Sequence, residues 1–382
     1  MSRRTRKNVG VIGLGIIGQR VADRLRRRGF HVYVWNRTPR AVPNFVGSRA
    51  EVAELCDLIQ IFVSDDEALL QTVQQLTPAL TAHHIVMAHC TVAPETMRTA
   101  AEIVQRRGAR FLDAPFTGSK PAAETGELIY YVGGDDVALR DARHVLAASS
   151  KEIIEIGEIG QATTIKIATN MITAASVQAA AEALALVQNS GLEPEKLMTA
   201  LRNNASFSGT LAFKLPKMIA GDFAPQFSVK HMFKDMQLAY RLGRSHDFEF
   251  GVTGAARDGL LEEIRKGHED ADYISTVRKF FPEREAQNGS APELFEMAPN
   301  HEPERSTVEA PEPGPILVGA QIDVAALFAA LPAAAPQEPV AAVMDAPEQA
   351  DEENSNDDSH EEEEEEDSEE RGGFLRRLLR RD

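Results

Sequence analysis

Six consecutive residues, Gly13, Leu14, Gly15, Ile16, Ile17 and Gly18, fit the spacing Gly-x-Gly-x-x-Gly. Glycines are common, so the pattern carries weight only in context. Here a β-branched run, 8–12, precedes it and a helical pattern follows. In that setting Gly13 permits a tight turn, Gly15 lets a pyrophosphate approach the backbone, and Gly18 lets the helix pack on the strand. The phosphates would meet the helix N-terminus, where free N–H groups and the dipole favour anions. The end of the next strand reads Asn36, Arg37, Thr38. Folds that select NAD(H) place a carboxylate there for the ribose 2′-hydroxyl, and this chain has none. Arg37 can instead make charge-assisted bonds to a 2′-phosphate. The expected cofactor is NADP(H), with NAD(H) as the alternative if Arg37 is only a solvated loop residue.

Two further groups of residues could do chemistry. Thr117, Gly118 and Ser119 lie in a polar loop after a strand, where hydroxyls and backbone N–H groups can hold a carboxylate. Alone, such a loop is more often structural. Lys166 and Asn170 are four apart and share one helix face. A lysine among Ile165, Ile167, Met171 and Ile172 is ordinarily a snorkelling surface residue, and Lys230 and Lys234 invite the same reading. His231 and Asp235 are also four apart. His89, Cys90 and Cys56 lack metal-ligand spacing, so packing is expected of all three and no metal is expected.

The elements that position these residues follow from periodicity. Strands are expected at 8–12, 30–35, 58–63, 85–89 and 109–112, with later ones at 128–132 and 153–156. Alternation with helices implies an α/β fold: an N-terminal Rossmann dinucleotide-binding domain, 1–160, with a parallel sheet covered on both faces. Residues 163–190 contain no Gly or Pro and read as one long helix. Further helical patterns at 193–203, 229–242 and 255–266 make 161–285 an all-α substrate and dimerisation domain. Beyond it, 286–382 is rich in Pro and Glu and nearly free of aromatics, the composition of a disordered acidic tail. Its end, 374–381, sets Phe374, Leu375, Leu378 and Leu379 against four arginines. That short basic amphipathic pattern suits weak contact with an anionic surface, or folding back on the Glu run.

Charge and composition exclude several classes. The net charge of −17 belongs to the tail, which carries −19, while residues 1–285 carry +2. So neutral a body offers no large basic footprint for nucleic acid. Two cysteines cannot build a disulfide framework and fit a reducing compartment. No signal-peptide core and no run of about 18 apolar residues is evident, so a cytoplasmic protein without a membrane span is expected.

Taken together, the stretch from Val9 to Gly18 with 36–38, the loop from Asp113 to Lys120 with Gly126, the run 165–170 and the run 227–235 resemble the β-hydroxyacid dehydrogenase family. Within it, the glyoxylate/succinic semialdehyde reductase branch is the most similar. The resemblance spans about residues 8–281 and does not include the tail. It implies that Lys166 is the general acid/base, that Thr117 and Gly118 hold a substrate carboxylate, and that Asn170 orients the substrate. It implies Thr91 beside the nicotinamide, Val63 and Ser64 along the cofactor, Lys234 touching cofactor or substrate, and Phe227 and Asp235 completing the pocket. Thr117 and Cys90 stand where the family usually has Ser. The implied activity is NADPH-dependent reduction of a small carboxylated aldehyde such as glyoxylate, succinic semialdehyde or tartronate semialdehyde, in a homo-oligomer. The alternatives are an NAD-dependent 3-hydroxyisobutyrate-type dehydrogenase, or a non-enzymatic scaffold of this fold with an interaction tail. Imine reductases share the architecture, but a lysine at 166 favours carbonyl chemistry. With a reference pKa of about 10.4, that lysine is expected to be protonated at neutral pH.

Overall fold

The computed structural model describes residues 8–281. The expectations for the acidic tail and its basic end lie outside the described residues.

Five short parallel strands form the first half of the sheet: β1 (Val9–Ile12), β2 (Val32–Trp35), β3 (Leu58–Ile61), β4 (Ile85–Ala88) and β5 (Arg110–Asp113). Between them run α1 (Gly18–Arg27), α2 (Arg49–Leu55), α3 (Asp66–Leu76) and α4 (Pro94–Gln105). Then come β6 (Phe116–Thr117), α5 (Lys120–Thr125), β7 (Leu128–Gly134), α6 (Asp136–Leu146) and β8 (Ser150–Gly157). The strand order is β2-β1-β3-β4-β5-β7-β6, with β8 paired to β7. The expectation of a wholly parallel sheet is corrected here: β7 runs antiparallel to β5 and β6. The cause is local. Pro115 leads the chain from β5 into the two-residue strand β6, and Gly118, the single short helix α5 and Gly126 turn it back so that β7 returns alongside in the opposite direction.

Alternation along each strand assigns its two faces. Val9 and Val11 of β1 pack with Val21 and Leu25 of α1 on one side. Ile12 and Ile59 pack with Val52, Leu69 and Met97 on the other. Both faces are therefore covered, as buried parallel strands require. The long helix α7 (Gln161–Asn189) leads into α8 (Pro194–Leu201), α9 (Gly209–Ala220), α10 (Val229–Ser245), α11 (Gly251–Arg265) and a 3-10 helix, Tyr273–Phe280. Their core gathers Val177, Leu184, Leu215, Met232, Leu260 and Ile274. By length and composition α7 is apolar enough to cross a membrane. Here it is the spine of the helical part, with Ala174, Val177, Ala181 and Leu184 buried in that core. The helical patterns read from the sequence did not include α9, which carries Pro216 in its interior.

One carboxylate joins the sheet to the spine. Gly160 at the N-cap of α7 has no side chain to satisfy the first-turn N–H groups. Asp113, fully buried at the end of β5, does so from outside. It accepts from Gly160 N at 2.8 Å, Thr163 N at 3.0 Å and Thr163 Oγ1 at 2.7 Å. Burial pushes its carboxyl up to about 6, against the pull of those hydrogen bonds.

Candidate active site

The glycine turn is built as its spacing requires. Gly13 has φ +97°, and a Cβ there would lie 2.0 Å from the carbonyl oxygen of Phe62. A Cβ on Gly18 would meet the carbonyl of Gly13 at 2.0 Å, so α1 packs directly on the strand end. Above Gly15 the space is open, and the N–H groups of Ile16 and Ile17 have no acceptor within the described protein. Open space, free N–H groups and the start of α1 fit a pyrophosphate. Leu14 takes no part with its side chain, which is buried in the core. Its N–H is held by Asn36 Oδ1 at 2.9 Å, and Asn36 Nδ2 donates to the carbonyl of Thr38 at 2.8 Å. Asn36 therefore ties the glycine turn to the end of β2. Arg37 is exposed and has no ion-pair partner among the described residues. Arg49, stacked 3.8 Å from the centre of the Trp35 ring, has none either. Burial lowers its pKa first, and the positive charge of Arg37 lowers it further. Uncompensated positive charge thus collects at the end of β2.

Below the turn opens a cavity of about 560 Å³. Gly15, Ile16, Ile17 and Gly18 line one end, with Val63, Ser64 and Thr91 from the ends of β3 and β4. Thr117, Gly118 and Ser119 line it from β6 and the start of α5. Lys166 and Asn170 enter from α7, and Phe227, Lys234 and Asp235 from α10 and the segment before it. Of the candidate site residues read from the sequence, Gly13, Leu14, Asn36, Arg37 and Thr38 do not border this cavity.

The polar centre is a short chain of contacts. Asp235 is buried on the core side of α10. It accepts from Asn170 Nδ2 at 2.6 Å, and its other oxygen lies 2.7 Å from Lys234 Nζ. Lys234 Nζ also donates to the carbonyl of Thr91, linking α10 to the end of β4. Asp235 thereby fixes the two cavity-facing groups beside Lys166. Lys166 is not a snorkelling surface residue: it is partly buried and borders the cavity. Desolvation pushes its ammonium down to about 8, the Asp235 charge pulls it up, and the Lys234 charge pushes it down. At about 8 the ammonium still holds its proton at neutral pH, though less tightly than the reference value for a solvated lysine.

His89 is buried, its Nδ1 2.6 Å from the carbonyl of Ala114 and its ring stacked on Phe62. Burial pushes it down to about 4, so it is neutral. Cys90 is buried too, and burial raises its thiol to about 12. The residues that sequence reasoning missed form the remaining wall: Thr210, Phe213 and Lys214 of α9, Gln226, and Tyr273. They come from three separated segments and belong to no motif, so no spacing signal announced them.

Two family models match the chain. One, for the NAD binding domain of 6-phosphogluconate dehydrogenase, matches residues 8–157. The other, for the NAD-binding domain of NADP-dependent 3-hydroxyisobutyrate dehydrogenase, matches residues 160–280. Glyoxylate/succinic semialdehyde reductase 1 of Arabidopsis thaliana is 31% identical over 281 residues, covering 70% of this chain and 96% of that protein. The cytokine-like nuclear factor N-PAC of Xenopus tropicalis is 30% identical over 288 residues, covering 72% of this chain and 54% of that protein. The chain thus spans about half the length of the N-PAC relatives it matches. In fold it is similar to 3-hydroxyisobutyrate dehydrogenase of Mycobacterium tuberculosis, solved with L-serine. That comparison has a TM-score of 0.66 and 23% identity, over 72% of this chain and 99% of that one.

Proposed function

This chain belongs to the β-hydroxyacid dehydrogenase family, and on that premise we propose that it is an NADPH-dependent reductase of a small carboxylated aldehyde. The observation that carries the reading is Lys166, set in the cavity beside the Asn170–Asp235–Lys234 chain and near the glycine turn. When bound, the nicotinamide supplies the hydride. The glycine turn and the N-terminus of α1 would hold the pyrophosphate of the dinucleotide, and Thr91, Val63 and Ser64, which border the cavity, would lie along it. Thr117 and Gly118, with the backbone of Ser119, receive the substrate carboxylate. Lys166 then gives a proton to the carbonyl oxygen as charge develops there, which is general acid catalysis with electrostatic stabilisation. In the reverse direction the neutral amine of Lys166 accepts the proton of the hydroxyl. Asn170, with its Nδ2 held by Asp235, presents its carbonyl oxygen to order the substrate. Arg37 and the positive charge near Arg49 support NADPH over NADH. Ile165, Ile172 and Leu186 are exposed on α7 at multiples of seven residues, which supports a homo-oligomer.

A second reading is favoured by one finding. The N-PAC relatives, named as a nuclear factor, match over this same region. The fold would then serve as a scaffold, with residues beyond 281 recruiting partners. Steady-state assays of glyoxylate, succinic semialdehyde and tartronate semialdehyde with NADPH and NADH separate the two. The enzyme reading expects turnover with at least one substrate and a preference for NADPH. No turnover with any of them leaves the scaffold.

A further inference from the structure

We propose that the wall formed by α9, the 226–228 segment and the 3-10 helix is a subsite for a hydroxyl group on the substrate, so that the preferred substrates carry a hydroxyl besides the carboxylate and the reacting oxygen. The inference rests on the catalytic reading above and narrows its substrate class. Tyr273 is 4% exposed, yet it borders the cavity and its hydroxyl makes no hydrogen bond within the described protein. A buried phenol ordinarily finds a partner, so one without a partner at a cavity wall awaits a ligand group. Gln226 also borders the cavity, and its Oε1 is buried without a protein partner. Thr210 adds a second hydroxyl with no protein partner among the described residues. His231 adds a ring nitrogen. Its Nδ1 lies 2.6 Å from Ser228 Oγ, its Nε2 has no partner, and burial lowers its pKa so that the ring stays neutral.

These groups are held rigidly. Asp272 is fully buried and receives both hydrogen bonds of the Lys214 ammonium at 2.8 Å. It also accepts the backbone N–H of Gln226 at 2.8 Å and of Phe227 at 3.1 Å. Lys214 Nζ in turn sits 4.6 Å from the centre of the Tyr273 ring, whose edge meets Phe227. One ion pair therefore fixes the ring, the segment and the helix that together form the wall. Its chemistry is neutral donors and acceptors. The one cation on it is already neutralised by Asp272, so a hydroxyl suits it better than a second carboxylate. A methyl or hydrogen substituent would bury the tyrosine and glutamine groups with no partner, which is costly.

Glycerate and 3-hydroxyisobutyrate form a matched pair of probes, differing by a hydroxyl or a methyl on the same carbon. Both enantiomers of each are oxidised with NADP⁺ by the full chain, beside glyoxylate reduction as the reference for catalysis. The expected result is a kcat/KM for one glycerate enantiomer at least about tenfold above either 3-hydroxyisobutyrate enantiomer. Tyr273→Phe, and separately Gln226→Leu, are expected to cut that ratio by at least about fivefold, an effect that general loss of folding would not produce. Equal use of the two substrates, or a ratio unmoved in both variants, overturns the subsite while glyoxylate turnover leaves the reductase reading standing. Absence of turnover with every substrate overturns both.

Discussion

At the residue scale the account turns on two side chains whose charge the site manages. Lys166 is pushed down to about 8, mainly because the cavity desolvates its ammonium. Carbonyl reduction uses the protonated form, so its rate should fall as pH rises through about 8. Alcohol oxidation uses the neutral form and should climb through the same range. Measuring kcat/KM in both directions between pH 6 and 10 checks this, and an oxidation rate flat across that range would remove the lysine from the proton transfer. Arg37 is the second residue. It is exposed and has no ion-pair partner among the described residues, so on the NADPH proposal its loss is expected to leave the fold intact and to act on the 2′-phosphate alone. Arg37→Ala should weaken NADPH by about tenfold or more, the worth of a charge-assisted hydrogen bond, and should barely change NADH. Titrations followed by nicotinamide fluorescence read both constants, and equal losses would make Arg37 structural.

At the element scale, the placement of Lys166 depends on how α7 starts. That start is capped by Asp113 from another element, and Lys166 lies within two turns of it. Asp113→Ala leaves the buried N–H groups of Gly160 and Thr163 without acceptors, at a cost of about 1–3 kcal/mol. Denaturant unfolding should show that loss, and kcat should fall with it as α7 loses its anchor. The pH dependence has a definite sign. The folded-state carboxyl is raised from 3.8 to about 6, so its contribution is full below about 4 and lost as pH rises through 6. Relative to Asp113→Asn, the wild type should therefore lose stability between pH 4 and 6. Asp113 also shows where sequence reading stopped. The Asp113–Lys120 run was legible as a loop at a strand end, but nothing in its spacing said that its first residue caps a helix 47 residues away. Likewise the parallel strands and α7 followed from periodicity, whereas the antiparallel return of β7 depended on a two-residue strand too short to carry a period. The sequence reading did not include α9, whose interior holds Pro216, a residue that ordinarily breaks a helix. The Lys166–Asn170 face was readable from spacing and the resemblance put Lys234 and Asp235 in the pocket, but the hydrogen bond from Asn170 to Asp235, 65 residues on, needed the fold.

At the scale of the whole molecule, every group assigned to chemistry lies between Gly13 and Tyr273, and the family matches end at 280. The acidic residues beyond 286 carry the net charge of the chain, and the cavity lining among the described residues runs from Gly15 to Tyr273. A truncation after Ala286 is expected to stay soluble and to change kcat/KM by less than about threefold, roughly 0.7 kcal/mol. Loss of catalysis on truncation would place part of the tail in the active assembly. The reductase and scaffold readings share this fold and separate on whether Lys166 works. The most direct measurement is single-turnover oxidation of bound NADPH by glyoxylate or succinic semialdehyde, in the full chain and in Lys166→Ala, with NADPH affinity measured on both. The account predicts turnover in the wild type, a loss of at least about 10²-fold in the variant, and unchanged NADPH binding. Turnover in the variant at the wild-type rate, or none in either protein, would contradict it.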